Sequence, residues 1–287
     1  MSNQVIGLIG LGNMGASVAQ RLLQRGHQVF AYDTSPARLD EAKSRGAAAV
    51  ADTREVAQQC KTVVLSLPNP KAVRSVVETL LENGAQGLVI VDLSTNDPAT
   101  AQQMNRLAAQ RAMSYIDAPV SGGPSRALTG ELTMMVGGDD TAVTQVGALL
   151  SDIAAQVEHV GPAGSGSIAK LLNNYVALWG MVGVSQAFLA ASKMDIDPER
   201  LYQVMVKSSG RSYSLDRNYP KIRDGQFKPN FALALAEKDL TLALDLIKDT
   251  GLPVFAESSL RKLFDSSDAR QAALDVAVIY ERLREAL

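Results

Sequence analysis

Cysteine and histidine are almost missing from this chain. Its 287 residues include one cysteine, Cys60, and two histidines, His27 and His159. A single cysteine excludes an internal disulfide and a cysteine-based zinc site, and it fits a reducing compartment. Cys60 closes a helical pattern, where packing is its expected role. His27 precedes a strand and His159 lies in one, so both read as structural and a histidine-centred mechanism is disfavoured. Walker A, H-E-x-x-H, C-x-x-C and Y-x-x-x-K patterns are all absent, and no metal site is expected. Neither sign of charge dominates: the net charge is −2, which offers no basic surface to nucleic acid. The N-terminus lacks the basic segment and apolar core of a secretory signal, so a cytoplasmic location is expected. One long uncharged run, Leu171 to Ser192, reaches the length of a membrane span. It contains Asn173, Asn174, Ser185 and Gln186 and is flanked by Lys170 and Lys193, so a helix buried between domains or subunits is expected instead.

What is present begins in the first fifteen residues. Gln4 to Ile9 is a short apolar run of strand length, Gly10-Leu11-Gly12-Asn13-Met14-Gly15 follows, and then a helical pattern buries Val18, Leu22 and Leu23 on one face. Strand, glycine turn and helix in this order make a dinucleotide site. The first glycine allows the turn, the second lets backbone approach a pyrophosphate, and the third lets helix pack on strand. A second strand, Gln28 to Tyr32, ends at Asp33, 18 positions after Gly15 and close to the spacing of a ribose-binding acid. A carboxylate there accepts from a ribose 2′-hydroxyl and repels a 2′-phosphate, so NAD is favoured over NADP; Asp33 also reads as a helix cap near Ser35-Pro36.

Strands at 62–67, 87–92, 114–117, 131–136 and 156–160 alternate with helices, which predicts an α/β Rossmann-type domain with a doubly wound, mostly parallel sheet over residues 1–162. Thr95 follows a strand end, where it either borders the nicotinamide or caps the next helix. Ser121-Gly122-Gly123 follows another strand end and either presents N–H groups to a carboxylate or forms a plain turn. Gly161 to Gly166 breaks the pattern, and residues 163–287 read as an all-helical domain joined through a long interdomain helix. Within it, 211–230 reads as irregular and 269–285 as one helix. Lys170 stands at the beginning of the long helix, with Asn174 one turn on. Taken alone, a surface lysine is the simpler reading; a desolvated one gains a pKa closer to acid–base use.

Four motifs together resemble the β-hydroxyacid dehydrogenase family, which includes 3-hydroxyisobutyrate dehydrogenases and the tartronate, glyoxylate and succinic semialdehyde reductases. They are Gly7 to Gly15, Asp117 to Gly123 continuing to Gly130 and Met135-Val136-Gly137-Gly138, Gly164 to Asn174, and Lys238-Asp239-Leu240. Ser17-Val18 and Arg21 depart from the usual pattern, at packing positions. The resemblance implies Lys170 as general acid–base and Ser121, Gly122, Gly123 and Asn174 as substrate contacts. It implies Lys238 beside substrate and cofactor, lowering the pKa of Lys170. Leu67, Pro68 and Thr95 would border a cofactor held by Gly10, Leu11, Gly12, Asn13, Met14, Gly15 and Asp33. The implied reaction is NAD-linked interconversion of a small anionic 3-hydroxy acid and its semialdehyde, in a homodimer or homotetramer associating through the helical domain. Arg126 or Arg211 would meet a second anionic group or, more simply, stay solvated. Imine reductases share the pattern but replace the lysine, and non-catalytic scaffold relatives lack it; Lys170 argues against both.

Overall fold

Successive residues of the N-terminal strands alternate between two hydrophobic clusters, as strands buried on both faces require. In the computed structural model, which describes residues 3–285, Ile6 and Leu8 of β1 (Val5–Ile9) enter one cluster and Ile9 the other. The same alternation places Val64 opposite Val63 and Leu65 in β4 (Thr62–Leu65), and Val89 and Val91 opposite Ile90 in β5 (Val89–Asp92). Helices cover both faces. α1 (Asn13–Gln24) buries Val18, Ala19 and Leu22 on the first face. α3 (Thr53–Gln59), α4 (Pro70–Asn83) and α5 (Pro98–Ala109) bury Val56, Val73, Val77, Leu80, Ala101 and Met104 on the second. β2 (Gln28–Tyr32), α2 (Pro36–Ser44) and β3 (Ala48–Ala49) complete the first winding.

The sheet runs β3-β2-β1-β4-β5-β6, with β6 at Ser114–Asp117, and every pair among these strands is parallel. Its direction of winding reverses between β1 and β4, and the crevice at such a reversal is where ligands bind in open sheets. Beyond β6 come β7 (Val120–Ser121), α6 (Pro124–Thr129), β8 (Leu132–Gly137), α7 (Asp140–Ile153) and β9 (Ala154–Gly161). β8 runs antiparallel to β6 and β7, and β9 pairs parallel with β8.

Two compact units result, one running to Lys170 and one from Leu171. α8 (Ser165–Lys193) therefore contributes its first turn and a half to the sheet-bearing unit. By length and composition it is apolar enough to cross a membrane, yet Leu178, Met181, Val184 and Phe188 are buried in the core of the second unit.

That second unit is helical, and it corrects two expectations. The segment 211–230 is not irregular: it holds α10 (Tyr213–Asp224), which follows α9 (Pro198–Met205). Ser212 caps α10 by accepting from Leu215 N, and Leu215, Tyr219 and Ile222 form a buried face. Pro220 costs about 3 kcal/mol inside a helix. Burial of three large apolar side chains at about 1.5–3 kcal/mol each offsets it. Tyr219 stacks between Phe188 and Tyr202, at 4.5 and 4.3 Å.

Nor is 269–285 one helix. After α11 (Leu233–Asp249) and α12 (Glu257–Phe264) the chain forms α13 (Ala269–Ala272), a 3₁₀ turn at Val276–Val278 and α14 (Ile279–Glu285). The break is made by Asp275. Its buried carboxylate accepts from Asn230 N, Phe231 N and Ala277 N and pairs with Lys221 at 2.6 Å, bonds that a continuous helix would prevent.

Candidate active site

The glycine turn follows β1 at the sheet's reversal point. Gly10 has φ +94°, and a Cβ there would sit 2.2 Å from the Ser66 carbonyl oxygen. A Cβ on Gly15 would lie 1.9 Å from the Gly10 oxygen. Both positions are closed to any side chain. Gly12 differs: a Cβ there meets nothing within 4 Å, so the residue faces open space. It is the N-cap of α1 and, having no side chain, gives no cap hydrogen bond to the N–H groups of that first turn, formed by Asn13, Met14 and Gly15. By contrast α3, α4 and α5 are capped by Asp52, Asn69 and Asp97. Uncapped N–H groups beside open space suit an anion.

Asp33 is buried at the end of β2. Its Oδ2 accepts from Leu11 N at 2.7 Å and its Oδ1 from Ser35 N at 2.8 Å, while Arg38 Nη1 stands 3.5 Å away. It holds the glycine turn, and Ser35 is the cap residue of α2. Each carboxylate oxygen retains a second lone pair, so acceptor capacity remains for a ribose hydroxyl.

The ends of β4, β5 and β6 are tied by one buried carboxylate. Asp92 Oδ1 accepts from Ser94 N at 2.9 Å, and Oδ2 from Asn96 Nδ2 at 2.7 Å and Tyr115 Oη at 2.6 Å. Ser94 Oγ in turn accepts from Leu67 N at 2.8 Å. The Leu67-Pro68 turn and the Ser94-Thr95-Asn96 turn are thus fixed to each other. Burial pushes the Asp92 carboxyl up against these hydrogen bonds, and it lifts the Tyr115 phenol well above its ordinary range, with the Asp92 charge adding to the effect. Asp97, not Thr95, caps α5. Sequence reasoning selected Leu67, Pro68 and Thr95 but missed Asp92 and Tyr115; the available signal was polar Asp92, Ser94 and Asn96 ending an apolar strand.

After β7, Gly122 and Gly123 take φ of +137° and +83°, a backbone that side chains rarely adopt. They lead into α6 with their N–H groups set by that conformation rather than by ladder pairing. Lys170 is the sixth residue of α8 and only 8% exposed, so it is not the surface lysine of the simpler reading. The start of α8 meets β6 directly: Asp117 Oδ1 accepts from Gly164 N and Oδ2 from Ser167 N, both at 2.8 Å. Burial raises the Asp117 carboxyl to about 6 despite these bonds.

In the second unit, Asn174 is buried one turn after Lys170 along α8. Its Nδ2 donates to Asp239 Oδ2 at 2.7 Å, and Lys238 Nζ lies 3.0 Å from Asp239 Oδ1. Asp239 orients both residues; the sequence placed it in the Lys238-Asp239-Leu240 motif without a role of its own. Arg126 and Arg211 are exposed, the latter 3.8 Å from Asp216. His27 is buried with Nε2 3.0 Å from Asp152, and His159 Nε2 lies 2.9 Å from the Gly138 oxygen; both serve the fold. Cys60 is buried, its thiol raised to about 11 by burial, which is the inert state of a packing cysteine.

The chain is similar to known proteins over nearly all of its length. Residues 5–161 match the family model described as the NAD-binding domain of 6-phosphogluconate dehydrogenase, and 164–283 the model described as NAD-binding of NADP-dependent 3-hydroxyisobutyrate dehydrogenase. The chain is 35% identical over 268 residues to 2-(hydroxymethyl)glutarate dehydrogenase of Eubacterium barkeri, covering 92% of this chain and 89% of that one. It is 30% identical to human mitochondrial 3-hydroxyisobutyrate dehydrogenase, over 99% of this chain and 88% of the human protein. The solved structure of Mycobacterium tuberculosis 3-hydroxyisobutyrate dehydrogenase with L-serine superposes with a TM-score of 0.90 at 30% identity, over 99% of this chain and all of that one. An imine reductase from Myxococcus stipitatus, at 17% identity and a TM-score of 0.65, shares the fold alone. The chain belongs to the β-hydroxyacid dehydrogenase family, oxidoreductases that work with a nicotinamide cofactor.

Proposed function

We propose that this protein interconverts a small 3-hydroxy acid and its semialdehyde, with NAD(H) as the preferred cofactor and Lys170 as the general acid–base. The observation that carries the reading is the buried ammonium of Lys170, on a helix whose start is bonded to the sheet end that bears the cofactor turns.

When bound, the nicotinamide ring supplies or accepts the hydride. The chain's own residues do the rest. Lys170 Nζ gives a proton to the substrate oxygen in the reductive direction and takes it from the hydroxyl in the oxidative one. Ser121 and the N–H groups of Gly122 and Gly123 hold the substrate carboxylate. Asn174 and Lys238 add substrate contacts, with Asp239 setting their orientation. Leu67, Pro68 and Thr95 border the nicotinamide end, and the uncapped start of α1 takes the pyrophosphate. Asp33 supports NAD over NADP, because a 2′-phosphate brought to a buried carboxylate is repelled.

Steady-state assays of small 3-hydroxy acids and their semialdehydes with both cofactors test the proposal. Turnover of at least one such acid is expected, with kcat/KM at least tenfold higher for NAD than for NADP. Turnover of none of them would overturn the substrate class. A preference for NADP would overturn the account of Asp33.

A further inference from the structure

Asp117 connects two parts of the candidate site that lie far apart in sequence. It ends β6, and only Ala118-Pro119 separates it from β7 and the Ser121-Gly122-Gly123 turn. Its two carboxylate oxygens take one N–H each from the start of α8, Gly164 N just before the helix and Ser167 N in its first turn. Lys170 follows Ser167 by three residues, about 4.5 Å along the helix axis. One carboxylate therefore fixes both the strand feeding the carboxylate-binding turn and the helix carrying the ammonium.

The surroundings leave no slack. A Cβ on Gly137 of β8 would sit 2.6 Å from Asp117 Oδ1 and 2.7 Å from Gly166 N. A Cβ on Gly166 would sit 2.4 Å from the Met135 oxygen and 2.6 Å from the Asp117 oxygen. The helix thus starts with its backbone against the backbone of β6 and β8, an approach only glycine permits. A negative group is also favoured at the N-terminus of so long a helix. A neighbouring lone-pair acceptor at one oxygen alone would hold one N–H and leave the helix free to pivot; two oxygens on two N–H groups hold both its place and its direction.

We infer that Asp117 is a positioning residue for the reaction: it sets the place of Lys170 relative to the Ser121-Gly122-Gly123 turn. The inference rests on the assignment of Lys170 as the acid–base. Catalytic rates fall about 100-fold for displacements near 1 Å, whereas cofactor binding at the α1 turn does not depend on the start of α8.

Asp117→Asn keeps the side chain's shape but supplies only one acceptor oxygen, and its amide N–H groups face one of the two backbone donors. Gly166→Ala leaves the carboxylate intact and pushes the helix start off the strands. Each variant is assayed beside Lys170→Ala, for kcat and KM and for NADH binding by fluorescence titration, at a temperature below its own unfolding transition. Both are expected to lose 10- to 100-fold in kcat, with KM and the NADH dissociation constant within threefold of wild type. A folded Asp117→Asn protein with kcat within twofold of wild type overturns the inference. So does loss of NADH binding in both variants, which makes Asp117 a folding residue only. Retained activity in Lys170→Ala overturns the acid–base assignment instead, so the two failures are distinguishable.

Discussion

Gly12 and Gly15 stand three positions apart and do opposite work. Gly15 is glycine because the Gly10 carbonyl occupies the space of its missing Cβ; Gly12 borders space that the protein itself leaves open. Replacing Gly12 by alanine costs the fold less than about 1 kcal/mol, since alanine is only a poorer N-cap than glycine. The added methyl does enter the space in front of the uncapped α1 N–H groups. Gly12→Ala is therefore expected to weaken NADH binding at least tenfold while shifting Tm by no more than about 4 °C, read by fluorescence titration and calorimetry. Unchanged NADH affinity would remove the α1 turn from the cofactor site. At this scale the sequence was most informative where a residue type is demanded by sterics. It was least informative for Asp92, Tyr115 and Asp239, whose roles come from partners distant along the chain, such as Tyr115 on Asp92 across the β5–β6 pair.

Among the elements, β1, β4 and β5 were legible because both faces are buried and the runs are continuously apolar. α10 was not, because Pro220 and a polar composition mask a narrow buried face of Leu215, Tyr219 and Ile222. The break before α14 was hidden for a related reason: Asp275 sits in a helix-compatible stretch, and only the bonds it accepts from Asn230 and Phe231 show why the helix stops. The start of α8 carries a pH-dependent element. Asp117 is raised from 3.8 to about 6, chiefly by burial. A carboxyl raised in the folded state binds its proton more tightly there than in the unfolded chain. Its contribution to stability is fully present below about pH 4 and is lost as pH rises through 6, by roughly 3 kcal/mol. The stability difference between wild type and Asp117→Asn, followed by denaturant unfolding from pH 4 to 7, should move against the wild type by that order. A difference independent of pH would show that Asp117 titrates at its ordinary value.

On the scale of the whole molecule, the winding of the sheet brings the chain's scattered motifs to one edge. The Gly10–Gly15 turn, Asp33, Leu67-Pro68, Thr95 and Ser121-Gly122-Gly123 all lie at or just past strand ends of the N-terminal unit, and Lys170 closes that unit. The order of motifs along the chain already pointed to a hydroxyacid dehydrogenase, and the matching relatives agree. What the order did not reveal is how Lys170 is held, because the clamp joins Asp117 to residues about fifty positions later. The measurement that bears most directly on the account is turnover by Lys170→Ala set against its NADH affinity. Proton transfer by a positioned side chain contributes about 10²–10⁴-fold. The account predicts a loss of kcat in that range with NADH bound as tightly as by the wild type. A variant that keeps more than a tenth of wild-type kcat would contradict it.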